Sequence, residues 1–147
     1  MSIFQALIND FLLYLRTERG LAANTIEAYR NDLHAFHQFL GDLDVTVVTS
    51  DEIIRYIDSL AGGGPTIVAG DFNDWRNRVS APMQAAGFNE VFEVLTGSPA
   101  KTFPSVKPML PMDRIYVRGL KIHSAKVLYE WLKLSDHLGI TAELEIE

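Results

Sequence analysis

Two short acidic motifs and one isolated aspartate contain the residue types that phosphoester chemistry needs. Residues 70–74 read GDFND, residues 135–137 read SDH, and Asp113 lies between them. Phosphoester hydrolysis requires an activated water and charge stabilisation on the phosphoryl oxygens, and a hard divalent cation requires carboxylate oxygens. An isolated GDFN after a strand is, however, most often a turn, because Asp and Asn side chains bond their own backbone. The elements around these motifs decide between a site and a turn.

The overall composition excludes several classes of protein and site. The chain has 147 residues, 48% of them hydrophobic, and no cysteine. This composition predicts a globular protein of one domain or two small ones, without disulfides or thiolate metal sites. We expect no transmembrane helix and no signal peptide, because there is no long apolar run and no basic N-terminal region. The predicted location is the cytoplasm.

The charge differs between the two parts of the chain. Residues 1–62 contain four basic and nine acidic residues, a net charge of −5, whereas residues 63–147 have a net charge of −1. Proteins that bind nucleic acid usually depend on basic side chains against phosphate. The net negative charge of residues 1–62 therefore argues against DNA binding by this part. The nearly neutral charge of residues 63–147 is compatible with a local basic patch.

The first sixty residues have the apolar spacing of three amphipathic helices. One helix is predicted over residues 3–16, a second from Thr25 to Leu40 with Asn24 and Glu27 as a capping box, and a third after Thr49, which pairs with Glu52 in the same way. Gly20 and Gly41 end the first two helices.

The pattern changes after the glycines at positions 62–64 and Pro65. Residues 66–69 are continuously apolar, which predicts a strand buried on both faces. A short helix is predicted over residues 80–86, ended by Gly87, and a long irregular connection over 96–112. Residues 114–117 and 121–129 are predicted strands, and the alternation over 140–146 predicts a half-exposed strand.

The first segment resembles the N-terminal core-binding (SAM-like) domain of Xer-type tyrosine recombinases. The resemblance covers residues 3–60 and rests on the run LRTERGLAANTIEAYRNDL and on the spacing of three helices. In that family the domain clamps DNA opposite a separate catalytic domain. The catalytic domain and its tyrosine nucleophile have no counterpart in this sequence, so recombinase activity is not inferred, and the acidic charge of the segment argues against the DNA-clamping role that the resemblance implies.

Residues 64–147 resemble the C-terminal half of the endonuclease/exonuclease/phosphatase superfamily, which includes DNase I-like nucleases. The matching stretches are PTIVAGDFNDW, KTFPSVKPMLPMDRIYVRGL and LSDHLGITAELEI. The resemblance implies an α+β fold in which the three-helix segment (residues 1–61) precedes a mixed β-sheet with helices (residues 62–147). That second part would be half of a DNase I-like α/β sandwich, and the chain would be a chimera of two partial domains.

The same resemblance implies roles for individual residues. Asp71 would orient or deprotonate the water, Asn73 would donate to the phosphate, and His137 would stabilise charge on the phosphoryl group. Asp113 would orient the His137 imidazole, and Asp136 would lie near a metal ion. From the residues alone, Asp71 and Asn73 share parity beyond a strand and are expected to point to the same side.

Structural interpretations of these residues stay open beside the functional ones. Asp136 is also compatible with a turn cap, and His137 and His123 with surface histidines. His34 and His37, spaced i, i+3 on one helix, could bind a metal ion but are interpreted as a solvated helix face. Arg114 and Arg118 could contact phosphate but are interpreted as surface charges of a strand. Trp75 and Phe103 are candidates to flank a substrate.

Three functions follow from these observations. The first is a metal-dependent phosphodiester hydrolase-like protein, nuclease-like in class, that binds Mg²⁺ or Mn²⁺ weakly. Its activity would be weak or absent, because the metal-binding Glu of the missing half has no counterpart. The alternatives are a chimeric scaffold, engineered or rearranged, without enzymatic function, and a DNA-binding module from the recombinase-like segment. The expected partners are a phosphoester or nucleic acid and a second copy of the chain, joined through an exposed sheet face, with no membrane.

Overall fold

The computed structural model describes residues 2–146 and divides the chain into two compact units, Met1–Leu60 and Ala61–Glu147. The first unit is helical. It contains α1 (Ile3–Thr17), α2 (Ala23–Leu40), a short 3-10 turn (Val45–Val47) and α3 (Ser50–Ala61), whose last residue belongs to the second unit. The three predicted helices are present, and each begins within two residues of its predicted start.

The core of the first unit lies between α1 and α2. The side chains of Ile8, Leu12, Leu15 and Ile26 are buried there, and Phe4, Leu21 and Leu33 pack against them. The α1 positions recur at intervals of three and four residues, which places them on one helix face. The apolar stripe predicted from the sequence is therefore the face that forms this core.

The two predicted capping boxes have different outcomes. Thr49 and Glu52 form the predicted contacts, because the Glu52 carboxylate accepts from both the Thr49 backbone N–H and its hydroxyl. The prediction for Asn24 is wrong, since α2 begins at Ala23 and Ala22 is a cap without a side-chain hydrogen bond. Leu21 packs on the core and donates its N–H to the Leu15 carbonyl, and this contact turns the chain into α2 before Asn24 is reached.

The second unit contains two small antiparallel sheets and two short helices. Its elements are β1 (Thr66–Asp71), α4 (Ser80–Ala85), β2 (Asn89–Glu90), α5 (Val91–Thr96), β3 (Asp113–Arg118), β4 (Leu120–Leu128) and β5 (Gly139–Ile146). One sheet has the order β1-β3-β2, and the other pairs β4 with β5. The α+β class is confirmed, but the predicted mixed sheet is not, because every strand pair in residues 2–146 is antiparallel.

The prediction that residues 66–69 form a strand buried on both faces is wrong. Strand β1 lies at the edge of its sheet, pairs only with β3 within the described part of the chain, and is half-buried or exposed along its length. The side chain of Ile67 is 55% exposed. An apolar run is compatible with either a central or an edge strand, because burial depends on which other strands pair with it.

The core of the second unit lies between the two sheets. Val91 and Phe92 of α5 and Ile115 and Val117 of β3 are buried, and apolar side chains of β4 and β5 pack against this cluster. The apolar face of the β4–β5 hairpin is therefore covered within its own unit. The predicted homodimer through an exposed sheet face stays a prediction. In residues 2–146 no helix is both long and apolar enough to cross a membrane.

Candidate functional site

The register of β1 against β3 brings two of the predicted site residues together. Asp71, the last residue of β1, lies directly opposite Asp113, the first residue of β3. Directly opposed residues of an antiparallel pair have side chains about 5 Å apart, and like charges in that position destabilise the pair. The sheet therefore holds two carboxylates next to each other at one end.

Asp113 is the centre of a hydrogen-bonded group. Its Oδ2 atom accepts a hydrogen bond from the hydroxyl of Thr102, which is fully buried, and lies 2.8 Å from Nδ1 of His137. The His137 ring also contacts the ring of Phe103, with centroids 4.9 Å apart. The side chains of Asp113 and His137 are 18% and 25% exposed, so the pair is partly protected from water.

The environment of His137 favours its protonated form. The hydrogen bond to Asp113 raises the pKa of the imidazole above its ordinary value, and the charges of Asp113, Asp71 and Asp136 raise this pKa further, against an opposing effect of burial. Donor atoms of Asp71, Asp113 and His137 all lie within 4.8 Å of one another. These three residues are named the Asp-His cluster below.

Asn73 lies in a turn that places it differently from the sequence expectation. Strand β1 ends at Asp71, so the alternation expected to point Asp71 and Asn73 to the same side does not reach Asn73. Asn73 has a positive φ of 50°, and its backbone N–H donates to Asp71 Oδ1 at 2.9 Å. This is the local side-chain-to-backbone bond that favours Asp and Asn in turns, and Asn73 is exposed.

The loop after this turn is anchored by a buried aspartate that the sequence analysis passed over. Asp74 is 8% exposed, and its two carboxylate oxygens accept from the backbone N–H groups of Arg78 and Val79 at 2.8 and 2.7 Å. The last Asp of GDFND is therefore a structural residue that caps the loop before α4.

Asp136, the predicted metal ligand, lies outside the Asp-His cluster. It is exposed, its carboxylate accepts from the Ser135 hydroxyl at 3.3 Å, and its backbone carbonyl accepts from Ser105 N–H at 2.8 Å. The negative charge of Asp136 nevertheless acts on the cluster, because it raises the pKa of His137. A metal-binding role for Asp136 and the binding of Mg²⁺ or Mn²⁺ both stay predictions.

The interpretation of Arg114 as a surface charge is wrong. Arg114 is fully buried, and its guanidinium donates to the backbone carbonyls of Pro111 and Asp74, the second at 3.1 Å. It thus joins the start of β3 to the loop after β1. Arg118 is half-buried, lies over the Phe88 ring and donates to the Ala86 carbonyl at 3.1 Å.

The remaining histidines lie away from the Asp-His cluster in sequence. His34 and His37 are half-buried, which corrects their interpretation as a solvated face, and His37 contacts both the Ser2 hydroxyl and the Phe4 ring. His123 is exposed and lies 2.7 Å from a carboxylate oxygen of Glu145.

The first unit has a basic cleft that sequence reasoning missed. Arg16 of α1 and Arg30 of α2 line the same cavity of about 120 Å³, together with Asn9 and the apolar side chains between them. Both arginines are exposed, and Arg30 Nε donates to Glu27 at 3.2 Å. These two arginines are half of the four basic residues in residues 1–62. The two arginines are brought together by the packing of α1 against α2. The net negative charge of residues 1–62 gives no sign of this local basic group.

The comparisons with known proteins concern both parts of the chain. Residues 8–69 match the phage integrase N-terminal SAM-like domain family. Tyrosine recombinase XerD of Listeria monocytogenes is 28% identical over 148 residues, which cover 79% of this chain and 49% of that protein. YbhP of Escherichia coli K12, an uncharacterized protein, is 40% identical over 97 residues, which cover 64% of this chain and 38% of that protein. No solved structure matches the chain.

These comparisons support the recombinase core-binding resemblance of the first segment. The chain spans about half or less of the length of these relatives. The prediction of a metal-dependent, nuclease-like phosphodiester hydrolase is wrong, because the matching family is the phage integrase N-terminal SAM-like domain and the XerD relative is a tyrosine recombinase. The comparisons give no support to a DNase I-like half-sandwich or to a chimera, and they fit the DNA-binding alternative better.

Proposed function

We propose that the first unit is a DNA-binding module. The observation that carries the proposal is the match of residues 8–69 to the phage integrase N-terminal SAM-like domain. The similarity to tyrosine recombinases and the three helices α1, α2 and α3 support it. The proposal covers binding to DNA and not strand exchange, because the chain spans 49% of the Listeria monocytogenes recombinase.

The basic cleft between α1 and α2 is the surface that we assign to the phosphate backbone. Arginine presents a planar fork of N–H donors that fits a phosphate group, and it keeps its charge at every physiological pH. Arg16 and Arg30 supply two such groups around one cavity, and Asn9 adds a polar side chain beside them. An amide can bond either a phosphate or a base edge.

The acidic surroundings limit the expected affinity. Nine acidic residues accompany the four arginines of residues 1–62. A protein that neutralises two phosphates has a slope of log K against log salt of about −1.8, far shallower than the slopes of strongly basic DNA-binding proteins. We therefore expect weak binding without strong sequence preference, detectable at low ionic strength.

The test is fluorescence anisotropy of a labelled duplex of about two helical turns, titrated with the full chain at low salt. We expect saturable binding by the wild type and at least tenfold weaker binding by the double variant Arg16→Gln/Arg30→Gln. The matched control is the double variant Arg19→Gln/Arg55→Gln, which removes the same number of charges from exposed positions outside the cleft. Equal losses in the double variant and the control would show that only total charge matters and would contradict the assignment of the cleft.

The cytoplasmic location and the homodimer stay predictions.

A further inference from the structure

The Asp-His cluster of the second unit brings together three side chains of the kinds that bind metal ions. It does not belong to the first unit, to which DNA binding is assigned. Asp71 and Asp113 are cross-strand partners, so the backbone itself fixes the separation of the two carboxylates. His137 is held next to Asp113 by a 2.8 Å hydrogen bond. The buried Thr102 hydroxyl fixes Asp113 from the other side.

The opposed carboxylates point to a cation. Like charges directly across an antiparallel pair destabilise the sheet unless a positive charge lies between or beside them. The buried Arg114 is next to Asp113 in sequence, but its guanidinium donates to the carbonyls of Pro111 and Asp74. The neighbour of Asp113 that offers a nitrogen ligand atom is His137, whose Nδ1 lies 2.8 Å from Asp113 Oδ2.

A cavity opens at this position. It has a volume of about 230 Å³ and is lined by Asp113 and His137, with Trp131, Leu134 and Leu138 among its apolar residues. An ion held at the Asp-His cluster would therefore have room on this side for water molecules as further ligands.

We propose that Asp71, Asp113 and His137 bind a divalent transition-metal ion, with Zn²⁺ as the best match. Imidazole together with carboxylates suits zinc, whereas Mg²⁺ prefers oxygen ligands alone and keeps several waters. Two ligands of a tetrahedral zinc ion lie about 3.4 Å apart, given bond lengths near 2.1 Å. The three donor atoms lie within 4.8 Å of one another, so side-chain rotations can bring them to this spacing, and the ion would take the place of the proton in the 2.8 Å hydrogen bond between Asp113 and His137. Three protein ligands leave the fourth position to water.

The test measures metal binding to the full chain directly and needs no enzymatic activity. Metal-free protein is titrated calorimetrically with ZnCl₂ and, separately, with MgCl₂. The unfolding of the second unit is followed by tryptophan fluorescence with and without zinc, because both tryptophans, Trp75 and Trp131, lie in that unit. We expect one zinc ion per chain, a zinc-dependent rise in Tm, and at least tenfold weaker binding of Mg²⁺.

Two variants and one matched control decide the assignment. Asp71→Asn and His137→Gln each remove one ligand with little change in volume, and each is expected to weaken zinc binding at least tenfold. The control is His34→Gln/His37→Gln in the first unit, which removes two histidines and is expected to keep wild-type affinity. Unchanged binding in Asp71→Asn, or loss of binding in the control, would overturn the proposal. Mg²⁺ binding as tight as Zn²⁺ binding would overturn the choice of metal. Circular dichroism of each variant shows whether it is folded.

Discussion

Replacing Arg114 by methionine tests whether one buried guanidinium holds the second unit together. Arg114 donates to the carbonyls of Asp74 and Pro111 from a fully buried position. Hydrogen bonds that involve a charged group are worth about 1.5–3 kcal/mol each, so the loss of two predicts a destabilisation of about 3–6 kcal/mol. A typical domain has only about 5–15 kcal/mol of stability in total, so this change should bring the second unit close to unfolding.

Urea unfolding followed by tryptophan fluorescence measures this effect in the full chain, because both tryptophans lie in the second unit. The matched control is Lys121→Met, which removes a positive charge from an exposed position of β4 and is expected to change stability by no more than about 0.5 kcal/mol. If Arg114→Met unfolds at the same urea concentration as the control, Arg114 does not anchor the loop after β1, and the reasoning from its burial fails.

Two further predictions concern the cores of the two units. Burial raises the pKa of Glu90, which is 1% exposed and faces Arg114, Glu93 and Tyr116. Because the native state then binds this proton more tightly than the unfolded state, Glu90 stabilises the second unit below the ordinary Glu pKa, and this stability is lost as pH rises through the raised value. Glu90→Gln should remove this component of the pH dependence in urea unfolding from pH 4 to 8, and an identical pH profile would contradict the inference. In the first unit, Leu12→Ala should cost about 2.7–5 kcal/mol in unfolding followed by circular dichroism at 222 nm, because Leu12 is 5% exposed. Leu13→Ala, at a neighbouring position that is 51% exposed, is the control, and similar losses at both positions would refute the assigned core.

Local patterns predicted most of the elements correctly. The apolar spacing of α1 is a property of a single helix, so the core positions Ile8, Leu12 and Leu15 follow from the sequence. Strand β3 begins and ends within one residue of its prediction, and so does the end of α4. Two short elements, β2 and α5, were missed, because two and six residues are too few to show a period.

The errors concern features that depend on distant residues. Strand β1 was predicted to be buried because its composition is apolar, yet its position at the sheet edge depends on which strands pair with it. The alternating pattern of β3 suggests that Arg114 is a surface charge. In the structure the loop that contains Asp74 covers its side chain, and Arg114 donates to the Asp74 carbonyl. Asn24 has the residue type of a cap, but a core contact of Leu21 starts the helix earlier.

The candidate sites differ in the same way. The residue types of the Asp-His cluster are visible in the sequence, whereas the proximity of Asp71 to Asp113 requires the antiparallel register of β1 and β3. The basic cleft of Arg16 and Arg30 forms only when α1 packs on α2. The count of charges in residues 1–62, which is net negative, therefore argued against a basic surface there. Family similarity, not charge, corrected the prediction of function.

The salt dependence of duplex DNA binding tests the central claim most directly. Affinity of the full chain is measured by fluorescence anisotropy at several salt concentrations, and log K is plotted against log salt. Two phosphate contacts from Arg16 and Arg30 predict a slope of about −1.8, and Arg16→Gln should make that slope shallower by about one unit. The absence of binding at the lowest salt concentration, or a slope that Arg16→Gln leaves unchanged, would contradict DNA recognition through this cleft.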